Sequence, residues 1–224
     1  MVRRKLKTSD ILLIAANLIP VYGVWFEGWS ARDVFIVYAL ETLLVGGFTV
    51  LKLFIATLAR KKDLWYNNDK STYVSGFFFI FFFILHFGLF AAVQTSIFSN
   101  VAGINHSGSG MLDFFFHWYR YIDRNVGIML AGFALSYAIT NLLPFIVRKE
   151  YQSTSMMKLM FQPYGRIFIQ QFTVILGSML LIFGLGKIFI VIFAFFRILF
   201  ETYFNVDAIL DNATVPTADR LGKQ

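Results

Sequence analysis

The sequence predicts an all-α fold, a polytopic bundle of about six transmembrane helices. Hydrophobic residues make up 58% of the 224 residues and charged residues only 15%, and the mean hydropathy is +0.65. Such a chain has too little polar surface to cover a water-soluble globule of this size. Apolar stretches of about 20 residues, the length that crosses a bilayer, recur along the chain. We therefore expect a multi-pass integral membrane protein that is embedded in the lipid bilayer and has lipid as a partner.

Six segments are predicted to cross the membrane, at residues 9–26, 33–58, 72–98, 126–147, 167–185 and 188–204. Only Gly184-Leu185-Gly186-Lys187 separates the last two. Two helix-breaking glycines favour a tight hairpin there, with one long bent helix or a re-entrant pair as alternatives. We expect a single helical domain over residues 1–205, followed by a polar, disordered cytoplasmic tail over 206–224.

The basic residues predict the orientation. Most of the 20 Lys and Arg fall in the N-terminal tail, between residues 60 and 70, between 148 and 166, or near the C-terminus. Alternating spans place these groups on one side of the membrane, and cytoplasmic loops are enriched in Lys and Arg. Both termini are therefore predicted to be cytoplasmic, in a prokaryotic cell membrane. The net charge of +7 is a topology signal, and we expect no nucleic-acid partner.

The loop between the third and fourth spans, at about 99–125, begins with glycine and serine and then becomes amphipathic from Met111 to Tyr121. Aromatic side chains mixed with charged ones are typical of a helix that lies among lipid headgroups. We predict such an interfacial helix on the outer face. The alternative is a lid over an outward-facing cavity.

Several ionisable or amide side chains fall inside the predicted spans, where they are costly unless they face the bundle interior or water. His86 and Gln94 are eight residues apart, about 80° around a helix, so they can line a single stripe. A lone intramembrane histidine is more often a neutral hydrogen-bonding group than a metal ligand. The predicted intramembrane polar cluster consists of Glu41, His86, Gln94, Asn141, Gln171 and Arg197.

Two of these residues have competing partners or a predicted local role. Arg197 can contact Glu41 at a similar depth on another helix, or it can pair with Glu201 four residues later on its own helix. Asn141 precedes Pro144, where we expect a kink.

Lys52 is a further charged residue inside a predicted span. It returns to nearly the face of Glu41 but lies roughly 16 Å lower at 1.5 Å per residue. Its long stem is expected to reach the cytoplasmic headgroups, so we do not pair it with Glu41.

Several motifs along the chain resemble those of an uncharacterised family of bacterial and archaeal membrane proteins, a domain of unknown function. The matching motifs are Glu41, His86-Phe87-Gly88, Glu150-Tyr151, Leu159-Met160 and Pro163-Tyr164-Gly165-Arg166-Ile167. The resemblance implies a shared six-helix fold and no established activity. The family pattern has histidines at the positions of Gln94 and Gln171, and another near Ser136. The resemblance thus implies that Glu41 and His86 are the remainder of a richer site, in which two amides weaken binding of a transition metal.

Pro163 to Arg166 are interpreted as a turn at the cytoplasmic interface. Arg166, with Tyr164, is a candidate contact for lipid phosphate or another anion, where ordinary headgroup anchoring is the simpler function.

These residues predict no catalytic group, no metal ligand set and no cofactor. Cysteine is absent, which excludes disulfides and thiolate chemistry. The spread of polar groups across the membrane favours a pathway for a small solute, an ion or a proton, lined by Glu41, His86 and Gln94. One alternative is a non-catalytic accessory or scaffold protein that binds another membrane protein or a second copy. Another is an intramembrane metal enzyme with a degenerate site, which would need His117 to fold inward beside Glu41 and His86.

Overall fold

The computed structural model describes residues 8–67, 70–101 and 112–165, and beyond them only 167, 180, 183–185, 187–188, 190–192, 194–195 and 198. The described chain is mostly helical, as predicted. Most of the predicted fifth and sixth spans lie outside the described residues. The same is true of the whole 206–224 tail and of three predicted site residues, Arg166, Gln171 and Arg197.

Long helices dominate the described chain. They are α1 (Thr8–Phe26), α2 (Ala31–Arg60), α3 (Gly76–Val101) and, after the short α4 (Asp113–Phe116), α5 (Arg124–Tyr137). Ser30 caps α2 by accepting a hydrogen bond from the Arg32 backbone, and Asp123 caps α5 through the backbone of Val126. Three helical stretches, Ala31–Arg60, Gly76–Ile97 and Arg124–Val147, are long and apolar enough to cross a membrane. They coincide with the predicted second, third and fourth spans.

A π-helical segment, Ala138–Leu142, follows α5 and leads into α6 (Leu143–Val147). The backbone N–H of Leu143 bonds to the carbonyl of Ala138, one residue further back than in an α-helix. Pro144 directly follows, and it has no N–H to continue the regular pattern. The helix is therefore irregular at the place where Asn141 and Pro144 predicted a kink.

A β-hairpin between α2 and α3 departs from the all-α prediction. β1 (Lys62–Asn67) pairs antiparallel with β2 (Lys70–Ser75), so residues 72–75, predicted to begin the third span, form a strand. Trp65 folds back onto α3, with its ring centroid 5.8 Å from that of Phe79 and 5.6 Å from that of Phe82. Strand pairing and this aromatic packing outweigh the local hydropathy.

The described residues between α3 and α5, which begin at Leu112, form two short helical turns where one interfacial helix was predicted. These are α4 and a 3₁₀ turn (Trp118–Tyr121), separated at His117. We call residues 112–121 the cap. Phe114 and Tyr121 are buried, with ring centroids 4.7 Å apart. The cap is thus packed onto the helices.

Residues 156–165 are helical and are labelled α7. This corrects the predicted turn, because Pro163 to Gly165 lie inside the helix. The chain enters α7 through a 3₁₀ turn, Glu150–Gln152, that follows Lys149 in the left-handed conformation, with a φ of 55°. The reversal that the sequence placed at Pro163 therefore occurs more than ten residues earlier.

Helix α2 is the centre of the packing, between α3 and α5. A Cβ on Gly46 would lie 2.4 Å from Cε1 of Phe87, and a Cβ on Gly76 would lie 2.4 Å from Oγ1 of Thr57. The two close approaches are eleven residues apart on both helices, so α2 and α3 run antiparallel in one continuous register. The two glycines permit α2 and α3 to approach this closely, because a larger side chain would occupy the space between the helices.

Two buried apolar clusters lie at opposite ends of the helices. One contains Val34, Phe114 and Val126 and sits beneath the cap. The other contains Phe79, Phe145 and Met156 and adjoins the β-hairpin. We call these ends the cap side and the hairpin side.

Large apolar side chains are exposed on the outside of the helices. Phe81 is 69% exposed and Leu89 is 67% exposed on α3, whereas Glu41 on α2 is buried. This distribution is the reverse of that in a water-soluble protein.

Candidate functional site

Polar side chains are buried at several levels of α2. Glu41 is 3% exposed and Lys52 is 4% exposed, and three threonines share their interior position, namely Thr42, Thr49 and Thr57. The hydroxyls of Thr49 and Thr57 donate to the carbonyls four residues earlier, Val45 and Leu53, which satisfies them within the helix. Glu41 and Thr42 are nearer the cap side than these other buried groups of α2.

The register of α2 and α3 brings a second polar group to this level. Because Gly46 lies against Phe87 and Thr57 against Gly76, Thr42 is level with Ala91 in the antiparallel pair. Gln94 is three residues further along α3, about 4.5 Å nearer the cap side. Gln94 is buried, and so are Thr95, Ser96 and Ser99 beside it. The cap-side half of the α2–α3 interior is thus polar.

Gln94 stands out among these residues. Both of its amide atoms are buried and have no hydrogen-bond partner in the described part of the chain, and the same is true of the Thr42 hydroxyl. By contrast, the adjacent Thr95 hydroxyl donates to the Ala91 carbonyl at 2.7 Å. Leaving a buried polar group unpaired costs about 1–3 kcal/mol, so these groups of a native interior require a specific explanation.

His86 lies on a different surface of α3 from Gln94. Its side chain is exposed, and a hydrogen bond of 2.6 Å joins its Nδ1 to the hydroxyl of Tyr164 on α7. Aromatic rings pack against this pair: the ring of Phe82 is stacked on that of His86, with centroids 5.5 Å apart, and the ring centroid of Phe87 lies 5.9 Å from that of Tyr164. The structure therefore separates the histidine from the buried amide, which the sequence had placed on one stripe.

Tyr164, predicted together with Arg166 as an interfacial lipid or anion contact, has its hydroxyl bonded to His86 of α3. Its partner His86 is ten residues into α3, about 15 Å along the helix from Gly76, and its ring packs against Phe87 and Phe161. The hydroxyl thus binds a histidine beside the middle of α3. The companion contact, Arg166, lies outside the described residues.

Lys52 corrects another expectation. Its side chain is buried between helices, and its Nζ lies 5.6 Å from the ring centroid of Tyr137 and 5.5 Å from that of Phe145. Aromatic faces attract a desolvated ammonium, so these two rings help to hold the side chain in the interior. Asn141, by contrast, is only partly buried, and its amide donates to the Thr140 hydroxyl at 2.8 Å.

A polar junction on the hairpin side was not anticipated from the sequence. Asp63 accepts hydrogen bonds from the backbone N–H of Leu64 at 2.8 Å and from that of Met156, the first residue of α7, at 2.7 Å. Arg60 forms an ion pair with Asp63 at 3.2 Å and also donates to the carbonyl of Thr154. One carboxylate therefore caps a helix 93 residues away. In the sequence, the feature that could have indicated this junction is the single acidic residue directly after the basic run Arg60-Lys61-Lys62.

Asp113 organises the cap. A hydrogen bond of 2.7 Å joins its Oδ1 to Nδ1 of His117, and its Oδ2 accepts from the Tyr121 hydroxyl at 3.2 Å. Burial, and then the neighbouring Asp113 carboxylate, raise the pKa of Tyr121 above its ordinary value. The hydroxyl is therefore kept neutral, as a donor requires.

The cap, α2 and α5 border a cavity of about 580 Å3. It is lined by leucines of α2 and α5, including Leu43 and Leu130, and by aromatic side chains of the cap, including Phe116 and Trp118. None of the predicted polar residues is among the described side chains that line it. The described lining of the cavity is therefore apolar and includes none of the buried polar side chains of α2 and α3.

Within the described residues, no group of three or more His, Asp or Glu side chains is arranged to hold a metal ion. His86 is bonded to Tyr164 and His117 to Asp113, so these two histidines belong to separate clusters. A site that joins both histidines to Glu41 is therefore not assembled in the described part of the protein.

The described chain is thus a mostly helical protein with three helices able to cross a membrane, a buried polar interior and an apolar cavity. Comparison with family models matches residues 1–218 to a family of unknown function, DUF6498. The chain belongs to this family, which confirms the resemblance to an uncharacterised family. Comparisons with curated proteins and with solved structures find no match.

Proposed function

We propose that this protein is a six-span integral protein of the prokaryotic cytoplasmic membrane with both termini in the cytoplasm. Three helices of sufficient length and hydropathy support this proposal, as do the exposed apolar and buried polar side chains. The described positive charges of Lys61, Lys62, Arg148 and Lys149 lie on the hairpin side, which is cytoplasmic in this topology. The cap then faces the outside.

Within this membrane protein, we infer that the cap-side interior of α2 and α3 conducts or binds a small polar solute, an ion or a proton. The observation that carries the inference is that the Gln94 amide and the Thr42 hydroxyl lack partners among the described residues. A solute or water that bonds to both groups recovers their desolvation cost. Glu41, one residue before Thr42 and also buried, adds a carboxylate to the same level. His86 lies on the exposed surface of α3, away from this site.

Single cysteines in this cysteine-free chain test the proposal. Glu41→Cys and Gln94→Cys are compared with Ala56→Cys, which replaces a fully buried small residue of α2 in the hairpin-side apolar cluster. Thiol reagents in water react with the thiolate, which forms only where water enters. We expect a small membrane-impermeant reagent, added from the cap side, to modify positions 41 and 94 and to leave position 56 unmodified.

Protection of all three cysteines would contradict a polar route and favour the second candidate, an accessory or scaffold protein. The observation that supports this candidate is the ion pair of Arg60 with Asp63 and the hydrogen bond of Asp63 to Met156. These contacts join the end of α2, β1 and the start of α7 through protein groups alone. In that case the buried polar groups fix helix packing, and the partner is a second copy or another membrane protein.

A further inference from the structure

The cavity beneath the cap has the properties of a lipid-binding site. The described side chains that line it are leucines and aromatic residues, and water is stable in a cavity only with about 2–4 polar partners. Its volume of about 580 Å3 lies within the range of roughly 300–1,000 Å3 found for small-molecule sites. One wall is formed by α2 and α5, which are able to cross a membrane. The cavity would then be accessible to lipid, and an apolar chain is the ligand that matches its lining.

The rim of the cavity is amphipathic. Phe116 is 63% exposed and Trp118 is 43% exposed, although both line the cavity. Aromatic side chains in this position are typical of the boundary between lipid tails and headgroups. The cap therefore suits the level at which a lipid headgroup meets its acyl chains.

Positive charge is placed at the same rim. Arg120 follows Trp118, which lines the cavity, by two residues in the same 3₁₀ turn, and the side chain of Arg120 is exposed. The nearby Asp113 carboxylate is bonded to His117 and Tyr121, so it is engaged within the cap. A guanidinium group is well suited to a phosphate.

From the apolar lining and this arginine, we propose that the cavity binds one acyl chain of an anionic phospholipid, whose phosphate contacts Arg120. The proposal depends on the proposed membrane location but not on the polar route between α2 and α3. The thiol-labelling test of the polar route and the lipid-binding test of the cavity can therefore give independent results.

The test measures phosphatidylglycerol retained by the full-length protein, using native mass spectrometry after extraction with increasing detergent, with phosphatidylcholine as the neutral competitor. Leu43→Trp fills the cavity from α2, and Leu130→Phe fills it from α5 with a smaller side chain in case the first variant does not fold. The matched control is Leu51→Trp, at an exposed position of α2. Leu51 lies eight residues after Leu43, about 12 Å nearer the hairpin side, and is not one of the described lining residues.

A second pair of variants tests the headgroup contact. Arg120→Gln removes the cation next to the rim at Trp118, and Arg124→Gln removes an exposed cation on the same side of the molecule with the same change in net charge. Since one basic residue near a membrane surface contributes about a fivefold change in affinity for an anionic lipid, we expect Arg120→Gln to lower phosphatidylglycerol retention about fivefold. Arg124→Gln should retain it.

The wild-type protein should retain one phosphatidylglycerol in preference to phosphatidylcholine, and the cavity-filling variants should lose it while Leu51→Trp keeps it. Retention unchanged in both cavity-filling variants would overturn the proposed cavity site. Equal retention of the two lipids, or equal losses in Arg120→Gln and Arg124→Gln, would overturn the phosphate contact.

Discussion

Single residues of the predicted polar cluster occupy separate environments. Gln94 is buried, and its amide has no partner within the described ranges, whereas His86 is exposed and bonded to Tyr164. An angle of about 80° on a helix is enough to place one side chain in the interior with α2 and the other beside α7. The same helix therefore presents two surfaces with different chemistry.

The His86 contact gives a prediction for stability. Tyr164→Phe removes the hydroxyl that bonds to His86 at 2.6 Å and should lower the free energy of unfolding by about 1 kcal/mol. Tyr73→Phe makes the same change at a 70% exposed position and should have an effect within about 0.5 kcal/mol. Thermal unfolding in detergent measures both, and equal effects would show that the hydrogen bond contributes nothing.

Among the secondary-structure elements, the packing of α2 on α3 depends on individual glycines. Gly46→Ala places a methyl group 2.4 Å from the buried Phe87 ring and should destabilise the protein by about 1–3 kcal/mol. Gly47→Ala meets no atom of the described residues within 4 Å and should stabilise α2 by about 0.5–1 kcal/mol, because alanine favours a helix more than glycine does. Opposite shifts of the unfolding midpoint are expected, and shifts of the same sign would contradict the register of α2 and α3.

The junction of the hairpin with α7 gives a second prediction for these elements. Asp63→Ala removes the cap of α7 at Met156 and the partner of Arg60, and we expect a loss of about 1–2 kcal/mol in unfolding free energy. Glu150→Gln instead breaks the exposed 3.9 Å pair with Arg148, for which about 0–1 kcal/mol is expected. Chemical denaturation in detergent compares the two, and a smaller loss for Asp63→Ala would show that the junction is not structural.

Across the entire protein, the cap and the hairpin lie at opposite ends of the helices. Single cysteines replace exposed side chains at three levels, Tyr119 in the cap, Phe81 on α3 and Tyr73 in the hairpin. In intact cells, an impermeant thiol reagent should modify Tyr119→Cys alone, and after permeabilisation it should also modify Tyr73→Cys. Phe81→Cys should stay unmodified, because the proposed topology places it among the lipid chains. Modification of Tyr73→Cys in intact cells would reverse the proposed orientation.

Hydropathy predicted the long helices well because it is a local property. The stretches Ala31–Arg60, Gly76–Ile97 and Arg124–Val147 follow from runs of apolar residues whose length matches a bilayer. Hydropathy failed at residues 72–75, where pairing with β1 decides the conformation. The turn predicted at Pro163 failed as well, because the Asp63 cap and the contacts of Tyr164 support a continuing helix. The residues that make these contacts are far apart in the sequence, so no local pattern of apolar and polar residues indicates them.

Composition and the order of motifs were sufficient to predict the mostly helical class, the positions of the three long apolar helices and an uncharacterised family. The contacts made by the polar groups could not be predicted from the sequence, because they are defined by the way the helices pack. Lys52 lies over the rings of Tyr137 and Phe145, Asp63 caps α7, and the cap borders an apolar cavity. Such contacts depend on which helix faces which, and that is set by close packing between residues far apart in the chain.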